Sequence, residues 1–164
     1  MFVKIKSIEI LPDFKIKALY DCGVVKTYDF NALVHNHKAF KPLQQKNLFN
    51  QAKVDCGGYG ICWTDEIDID SSEIWYNGTT TLETDEDIFN YIKAVAEESE
   101  PENIIKAIQE VAKIKGYNNL AEKMGVGRES LYKSLSGATK PRFETIYKIL
   151  LALGLRLSIK SADA

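Results

Sequence analysis

Few residues in the first half of the chain are spaced for metal binding. His35 and His37 lie one residue apart, but no third ligand accompanies them, which favours a solvated loop over a metal site. Glu66, Asp68 and Asp70 alternate with isoleucines, as on one face of a strand. They resemble the start of a calcium loop, but its central glycine and closing glutamate are missing. We therefore expect a solvated strand face and no metal ion.

The cysteines and glycines also lack the patterns of catalytic or phosphate-binding sites. Cys22, Cys56 and Cys62 have neither CxxC spacing nor an evident activating histidine. The glycine-rich segment 57–60 is not followed by the helix and lysine of a phosphate-binding loop. The sequence thus predicts no enzyme activity and no cofactor. The odd cysteine count, the absence of a signal-peptide pattern and the absence of a run of about 20 apolar residues predict a reduced, cytoplasmic protein without membrane association.

Charge divides the chain into two parts of opposite sign. Residues 1–100 contain 10 lysines, no arginine and 17 acidic residues, for a net charge of −7. Residues 101–164 contain 11 basic and 6 acidic residues, for a net charge of +5. Such an asymmetry favours a nucleic-acid-binding part joined to a part with another role. Because an acidic domain repels DNA, we expect the first part to bind a basic protein partner or a ligand that adjusts DNA affinity.

Apolar and polar residues mostly alternate over the first 80 positions, which is the pattern of half-buried strands. A turn at 21–23 joins two of these strands into a hairpin, because its glycine can adopt a positive φ. The pattern then indicates a short helix over Lys41–Ala52 and a strand over Ile61–Trp63. We therefore expect a small acidic α+β domain over residues 1–80.

The end of this domain and the linker that follows are predicted from capping residues and polarity. Ser71 or Ser72 would cap a last helical turn. Thr79–Glu86 is polar and is interpreted as a linker, and Ile88–Val95 as a helix that crosses to the second domain. Residues 81–100 are accordingly expected to be a linker with a connecting helix.

From Pro101 onward the spacing of apolar residues becomes helical. The first helix of this part has capping-box spacing at Ser99 and Glu102 and ends at Gly116. Its buried stripe is predicted to consist of Ile104, Ile105, Ile108, Val111 and Ala112.

The next segment has the spacing of two short helices that cross at a steep angle. Asn118 is a plausible N-cap, and Ala121 supplies the small side chain that a close approach of two backbones requires. Gly125 supplies the positive φ of a tight turn, and Val126 and Leu131 are predicted to close the core beneath the pair. This is the helix-turn-helix pattern of DNA-binding proteins.

Further helices surround this pair. The third helix of this part, residues 128–136, buries Leu131 and Leu135, and a fourth amphipathic helix ends at Gly154. Alternation over Leu155–Lys160 predicts a C-terminal strand. The predicted class is α+β, with a small N-terminal α+β domain followed by an all-α, repressor-like helix-turn-helix domain over residues 101–164.

Residues 101–164 resemble the helix-turn-helix family of the bacteriophage lambda repressor and Cro. The segments GVGRESLYKSLSG (125–137), PRFETIYK (141–148) and ALGL (152–155) are similar to the antidote proteins of bacterial HigA-like addiction modules. Gly127 departs from those proteins, which often have Ser or Thr at the cap of the recognition helix. Glycine is still an acceptable N-cap, so the departure does not alter the expected fold.

Residues 1–80 resemble a small bacterial α+β domain family of unknown function, sometimes encoded near toxin–antitoxin genes. The resemblance rests on the strand–turn–strand start, Phe40–Leu43, the strand with Cys62–Trp63 and the final turn at Glu73–Tyr76. It implies no mechanism, but it makes a toxin a candidate for the basic protein partner.

In a helix-turn-helix domain the helix at 128–136 enters the major groove of double-stranded DNA. Arg128 could then bind guanine O6 and N7. Glu129 could accept a hydrogen bond from cytosine N4, or its negative charge could simply stabilise the N-terminus of the helix. Tyr132 could contact a thymine methyl group or a phosphate, or pack partly buried. The candidate base-reading residues are Arg128, Glu129, Ser130, Tyr132 and Lys133.

Other residues are candidates for contacts with the DNA backbone. The resemblance implies such contacts for Thr139, Lys140 and Arg142, which follow the recognition helix. The backbone amides of Tyr117 and Asn118 lie at a predicted helix N-terminus, which is a natural phosphate-binding position.

One such motif covers only a half-site, so we expect a homodimer on half-sites about 34 Å apart. Its interface would be the strand at Leu155–Lys160 or the acidic domain. The predicted function is a sequence-specific transcriptional repressor and, through the resemblance, an autoregulating antitoxin. The alternative is an interaction adaptor or toxin-binding protein whose helix-turn-helix domain no longer binds DNA.

Overall fold

The computed structural model describes residues 3–98, 100–136 and 140–159. The chain divides into two compact units, Met1–Glu83 and Thr84–Ala164. The first combines β-sheets with short helices, and the described part of the second is helical. Among the described residues, no helix is both long enough and apolar enough to span a bilayer.

Two antiparallel sheets form the first unit. One has the strand order β1-β2-β3-β7 and the other β4-β5-β6. Gly23, with φ +85°, lies in the predicted turn between β2 and β3, so the predicted hairpin is confirmed. The strands are β1 (Ile5–Leu11), β2 (Lys15–Tyr20), β3 (Val25–Asp29), β4 (Lys53–Val54), β5 (Gly60–Thr64), β6 (Ile67–Asp70) and β7 (Thr79–Thr80).

The helices of the first unit are α1 (Asn31–Asn36), a 3₁₀ helix (Lys38–Gln44), α2 (Lys46–Phe49) and α3 (Ser71–Asn77). Its core contains an aromatic cluster in which Phe30, Phe49 and Trp63 have ring centroids 5.3 to 5.8 Å apart. The indole N–H of Trp63 donates to the Phe49 carbonyl oxygen at 2.9 Å. This bond satisfies the polar atom of a buried side chain.

The helix predicted over Lys41–Ala52 is replaced by the 3₁₀ helix and α2, which are separated at Gln45. Both Leu43 and Phe49 are buried. At about 100° per residue, a continuous helix would direct these two side chains about 120° apart. The extended backbone at Gln45 lets both face the core.

Three further predictions for the first unit were wrong. Asp70, and not Ser71 or Ser72, caps α3 by accepting from the Ser72 amide at 2.7 Å. The buried Ser71 hydroxyl instead donates to the Val3 carbonyl oxygen at 2.6 Å.

The segment 79–86 is not merely a linker, because β7 pairs with β3 and Leu82 is buried. The expected loop at 35–37 is partly helical, since His35 lies in the last turn of α1.

The second unit contains α4 (Asp85–Glu98), α5 (Pro101–Lys115), α6 (Tyr117–Met124), α7 (Arg128–Leu135) and α8 (Phe143–Ala152). The predicted connecting helix therefore belongs to this unit, where α4 packs on α5. The Tyr91 hydroxyl of α4 donates to Glu110 Oε2 of α5 at 2.7 Å. Ile88 and Val95 of α4 are buried, so the helix contributes to the core.

Membership of α4 in the second unit changes the interpretation of the charge split. Divided at the unit boundary, the net charge is −2 for residues 1–83 and zero for residues 84–164. Much of the predicted acidity of the first domain therefore belongs to α4 and its flanks. Asp85, Glu86 and Asp87 occupy the first turn of α4, where the helix dipole favours negative charge.

Helix starts and the chain end differ from prediction in the second unit. Glu100 is the N-cap of α5, while Ser99 of the predicted capping box lies outside the described residues. Gly116, with φ +83°, is the N-cap of α6 in place of Asn118. The predicted strand at 155–160 is not formed over residues 155–159, because no strand of this unit pairs with it within the described part, and Lys160 lies outside.

Candidate nucleic-acid interface

A tight turn positions α7 relative to α6. Gly125 adopts the left-handed conformation, with φ +66°, and its amide donates to the Glu122 carbonyl oxygen at 3.1 Å. The Val126 amide donates to the Ala121 carbonyl oxygen at 3.0 Å, and Ala121 is buried as predicted. Val126 itself is 37% exposed, so the predicted burial of this residue was wrong. Because these bonds satisfy the end of α6, the turn needs no side chain from Val126.

The two faces of α7 differ in exposure. Leu131 and Leu135 are buried, as predicted, and anchor the helix on the core. Gly127 is the N-cap and has no side chain to accept from the first amides of the helix. All five candidate base-reading residues are exposed: Arg128, Glu129, Ser130, Tyr132 and Lys133. The structure thus brings these side chains together on a single helix whose other face is buried.

Two tyrosines join α6 and α7 on the outer surface. The rings of Tyr117 and Tyr132 pack edge to face, with centroids 5.3 Å apart. Partial burial, and then the neighbouring Tyr132, raise the pKa of the Tyr117 hydroxyl. Tyr132 remains 57% exposed, so it both packs on Tyr117 and presents a surface for a ligand. Tyr117 begins α6, and Asn118 beside it is exposed.

Gln109 of α5 supports the far end of α7. Its side-chain amide donates to the Leu135 carbonyl oxygen at 2.6 Å, which satisfies a carbonyl group left unpaired at the helix C-terminus. The sequence analysis missed this residue. In the sequence, Gln109 is a polar residue next to Ile108 of the apolar stripe of α5. That position does not indicate which carbonyl oxygen its side chain would bond.

The predicted backbone-contact residues lie between α7 and α8 and are not equivalent. Lys140 Nζ is 2.8 Å from Glu102 Oε1, in an ion pair between two exposed side chains. The hydrogen bond and charge of this pair raise the pKa of Lys140 and lower that of Glu102. Arg142 is exposed at the N-cap of α8. Thr139 lies outside the described residues.

No metal centre occurs in the part of the chain that the structure describes, because no three His, Cys, Asp or Glu side chains are grouped to hold an ion. Asp68 and Asp70 are exposed on β6, as expected for a solvated strand face, but Glu66 lies in the turn before this strand and not on the predicted face. His35 Nδ1 lies 2.8 Å from the Asn31 carbonyl oxygen, so this ring nitrogen is engaged within α1.

The second half of the chain matches a known protein family. Residues 74–161 match the family described as "Probable addiction module antidote protein", and this stretch is more than half of the chain. The chain belongs to this antidote family. The match begins within α3 and includes every helix from α4 to α8, so the family relationship extends over the described part of the second unit.

The other half of this antidote-family chain also matches a family. Residues 5–80 match the family described as "Protein of unknown function (DUF2442)". An "Uncharacterized protein" of Haemophilus influenzae is 32% identical over 81 residues, which are 49% of this chain and 84% of that protein. A solved structure of a "Putative DNA Binding Protein" from Nitrosomonas europaea has a TM-score of 0.43 and 17% identity, over 93% of this chain and 85% of the other.

Proposed function

We propose that this antidote-family chain is a sequence-specific transcriptional regulator that represses its own operon as an antitoxin. In this proposal α6 and α7 form a helix-turn-helix motif, and α7 is the recognition helix in the major groove. The observation that carries the proposal is the row of exposed polar and aromatic side chains on α7, opposite a face anchored by Leu131 and Leu135. The family description supports the antitoxin role.

The side chains of α7 suit direct readout of base edges. Arg128, in the first turn and exposed, would donate two hydrogen bonds to guanine O6 and N7. Glu129, also in the first turn, would accept from cytosine N4. Tyr132, held by Tyr117, would contact a thymine methyl group or a phosphate. Ser130 and Lys133 complete the exposed surface.

Contacts with phosphates would fix the register of α7 on the duplex. The amides of Tyr117 and Asn118 lie at the N-terminus of α6, where the helix dipole favours an anion. Arg142 and Thr139 would add contacts after the recognition helix. Lys140 would have to exchange Glu102 for a phosphate, and exposed ion pairs of this kind contribute little stability, so the exchange is inexpensive.

A homodimer and a toxin are the proposed protein partners. A dimer would bind two half-sites about one turn of DNA apart. The proposal of a toxin partner rests on the family description alone. The first unit carries a net charge of only −2, so its acidity no longer argues for a basic partner.

Fluorescence anisotropy tests the DNA-binding part of the proposal. The full chain is titrated against its own upstream region and against a scrambled duplex, each at two salt concentrations. We expect preferential binding that weakens steeply with salt, as about 6–10 phosphate contacts require. Arg128→Ala should cost about 1–3 kcal/mol and relax specificity at one base position.

The matched control for this experiment is Lys93→Ala, which removes an exposed positive charge from α4. Its effect on affinity should be small and equal for both duplexes. Equal affinity of the wild-type chain for both duplexes would refute sequence-specific binding to this region. The absence of binding at low salt would support the adaptor alternative.

A further inference from the structure

Helix α8 carries a row of large apolar side chains that face solvent. Phe143, Tyr147 and Leu151 are spaced four residues apart and are 74%, 41% and 45% exposed, whereas Leu150 beside the row and Ile149 on the opposite face are buried. This α8 row therefore lies along one side of the helix. The rings of Phe143 and Tyr147 already stack, with centroids 6.3 Å apart and planes 23° apart. Contiguous exposed apolar surface is typical of an interaction site.

Charges beside the α8 row indicate which partner would fit it. Glu144 follows Phe143, Lys148 follows Tyr147, and the two side chains form an i,i+4 ion pair at 2.6 Å. Both therefore lie on the same flank of the row. If a second copy of α8 packs antiparallel on the first, a two-fold axis near Tyr147 leaves this flank on the same side of both helices. Glu144 of each copy then lies near Lys148 of its partner.

We propose that the α8 row is the surface through which two copies of this chain associate, with their α8 helices antiparallel. Phe143 of one copy would pack against Leu151 of the other, and the two Tyr147 rings would meet at the axis. A parallel two-fold arrangement would place the Glu144–Lys148 flanks of the two copies on opposite sides of the interface, where their charges could not pair, so the antiparallel arrangement is favoured. The interface thus lies on α8 rather than on the strand predicted at 155–160 or on the first unit. Such a dimer would present two α7 helices to DNA. That consequence rests on the proposed function, whereas the α8 interface itself does not.

Analytical ultracentrifugation of the full chain across micromolar concentrations tests this surface. We expect the wild-type chain to form a dimer, and Tyr147→Glu to weaken association by at least about tenfold, because a charge would be buried at the centre of the interface. Tyr76→Glu is the matched control, because Tyr76 is 63% exposed on α3. Circular dichroism would verify that each variant keeps its helices. A monomeric wild-type chain, or undiminished association of Tyr147→Glu, would overturn the proposal.

Charge reversal gives a second test that a change in folding cannot imitate. The Glu144→Lys chain is positive at both flanking positions, and the Lys148→Glu chain is negative at both. Each alone should dimerise more weakly than the wild type, while an equimolar mixture should form heterodimers in excess of the statistical fraction. A statistical mixture would overturn the antiparallel α8 interface. A chain that dimerises through α8 but does not bind DNA would support this interface and refute the proposed regulatory function. A monomeric chain that binds DNA would overturn the interface and leave the DNA-binding proposal standing.

Discussion

The ring of Tyr117, at the start of α6, packs edge to face on the ring of Tyr132 in α7, with the centroids 5.3 Å apart. The contact joins the two helices at the surface, where Tyr132 is 57% exposed, whereas the preceding Leu131 is buried. It therefore couples the first residue of α6, where a phosphate would bind, to a side chain in the middle of the proposed recognition helix.

A double-mutant cycle measures this coupling. Tyr117→Ala, Tyr132→Ala and the double variant should show an interaction energy of about 0.5–1.5 kcal/mol in the free energy of unfolding, the usual contribution of an aromatic pair. Urea denaturation of the four proteins provides the values. Additivity of the two single changes would mean that the rings do not interact in solution.

The turn between α6 and α7 depends on the backbone of Gly125. With φ +66°, a residue bearing a Cβ is strained there, although the Cβ would meet no atom within 4 Å. Gly125→Ala should therefore lower the free energy of unfolding by about 1–2 kcal/mol through backbone strain alone. Gly125→Asn should cost less, because asparagine tolerates this conformation. Thermal denaturation compares the two variants, and equal losses would indicate that crowding and not φ limits the position.

The hydrogen bond from Gln109 to the Leu135 carbonyl oxygen should stabilise the end of α7. Gln109→Leu keeps most of the side-chain volume and removes the donor, so we expect a loss of about 1 kcal/mol. Lys106→Leu, at an exposed position of the same helix, should change stability by less than about 0.5 kcal/mol. If both variants unfold at the same urea concentration, the bond contributes nothing measurable.

Alkaline pH should destabilise the first unit through Tyr28. Burial, followed by the hydrogen bond and charge of Glu73 at 2.9 Å, raises the pKa of Tyr28 to about 12. The unfolded value is about 10. The raised pKa therefore contributes stability that is complete below about pH 10 and is lost as the pH rises towards about 12. Burial also raises the pKa of Tyr20.

Urea unfolding at a series of alkaline pH values checks this dependence. The free energy of unfolding of the wild-type chain should fall above about pH 10, where the unfolded tyrosine ionises first. Tyr28→Phe removes the group and should show a shallower fall. A slope identical to that of the wild type would exclude Tyr28 as its source.

Local patterns in the sequence predicted the elements that local physics controls. The positive φ of Gly125, the burial of Ala121, Leu131 and Leu135, and the outward face of α7 all follow from helical spacing and from the steric freedom of glycine. The hairpin at 21–23 follows in the same way from alternation and a turn glycine. These features depend on neighbours within a few residues, so one segment of sequence contains their causes.

Contacts between distant segments were decided only by the tertiary structure. The pairing of Thr79 and Thr80 with β3, the membership of α4 in the second unit and the bond from Gln109 to Leu135 each join residues far apart in the chain. Ser71 is a plausible cap by sequence, but in the structure its hydroxyl donates to the Val3 carbonyl oxygen and Asp70 caps α3 instead. The exposure of the α8 row likewise depends on which helix faces the core uses. Sequence periodicity identifies an apolar face, but only packing determines what, if anything, covers it.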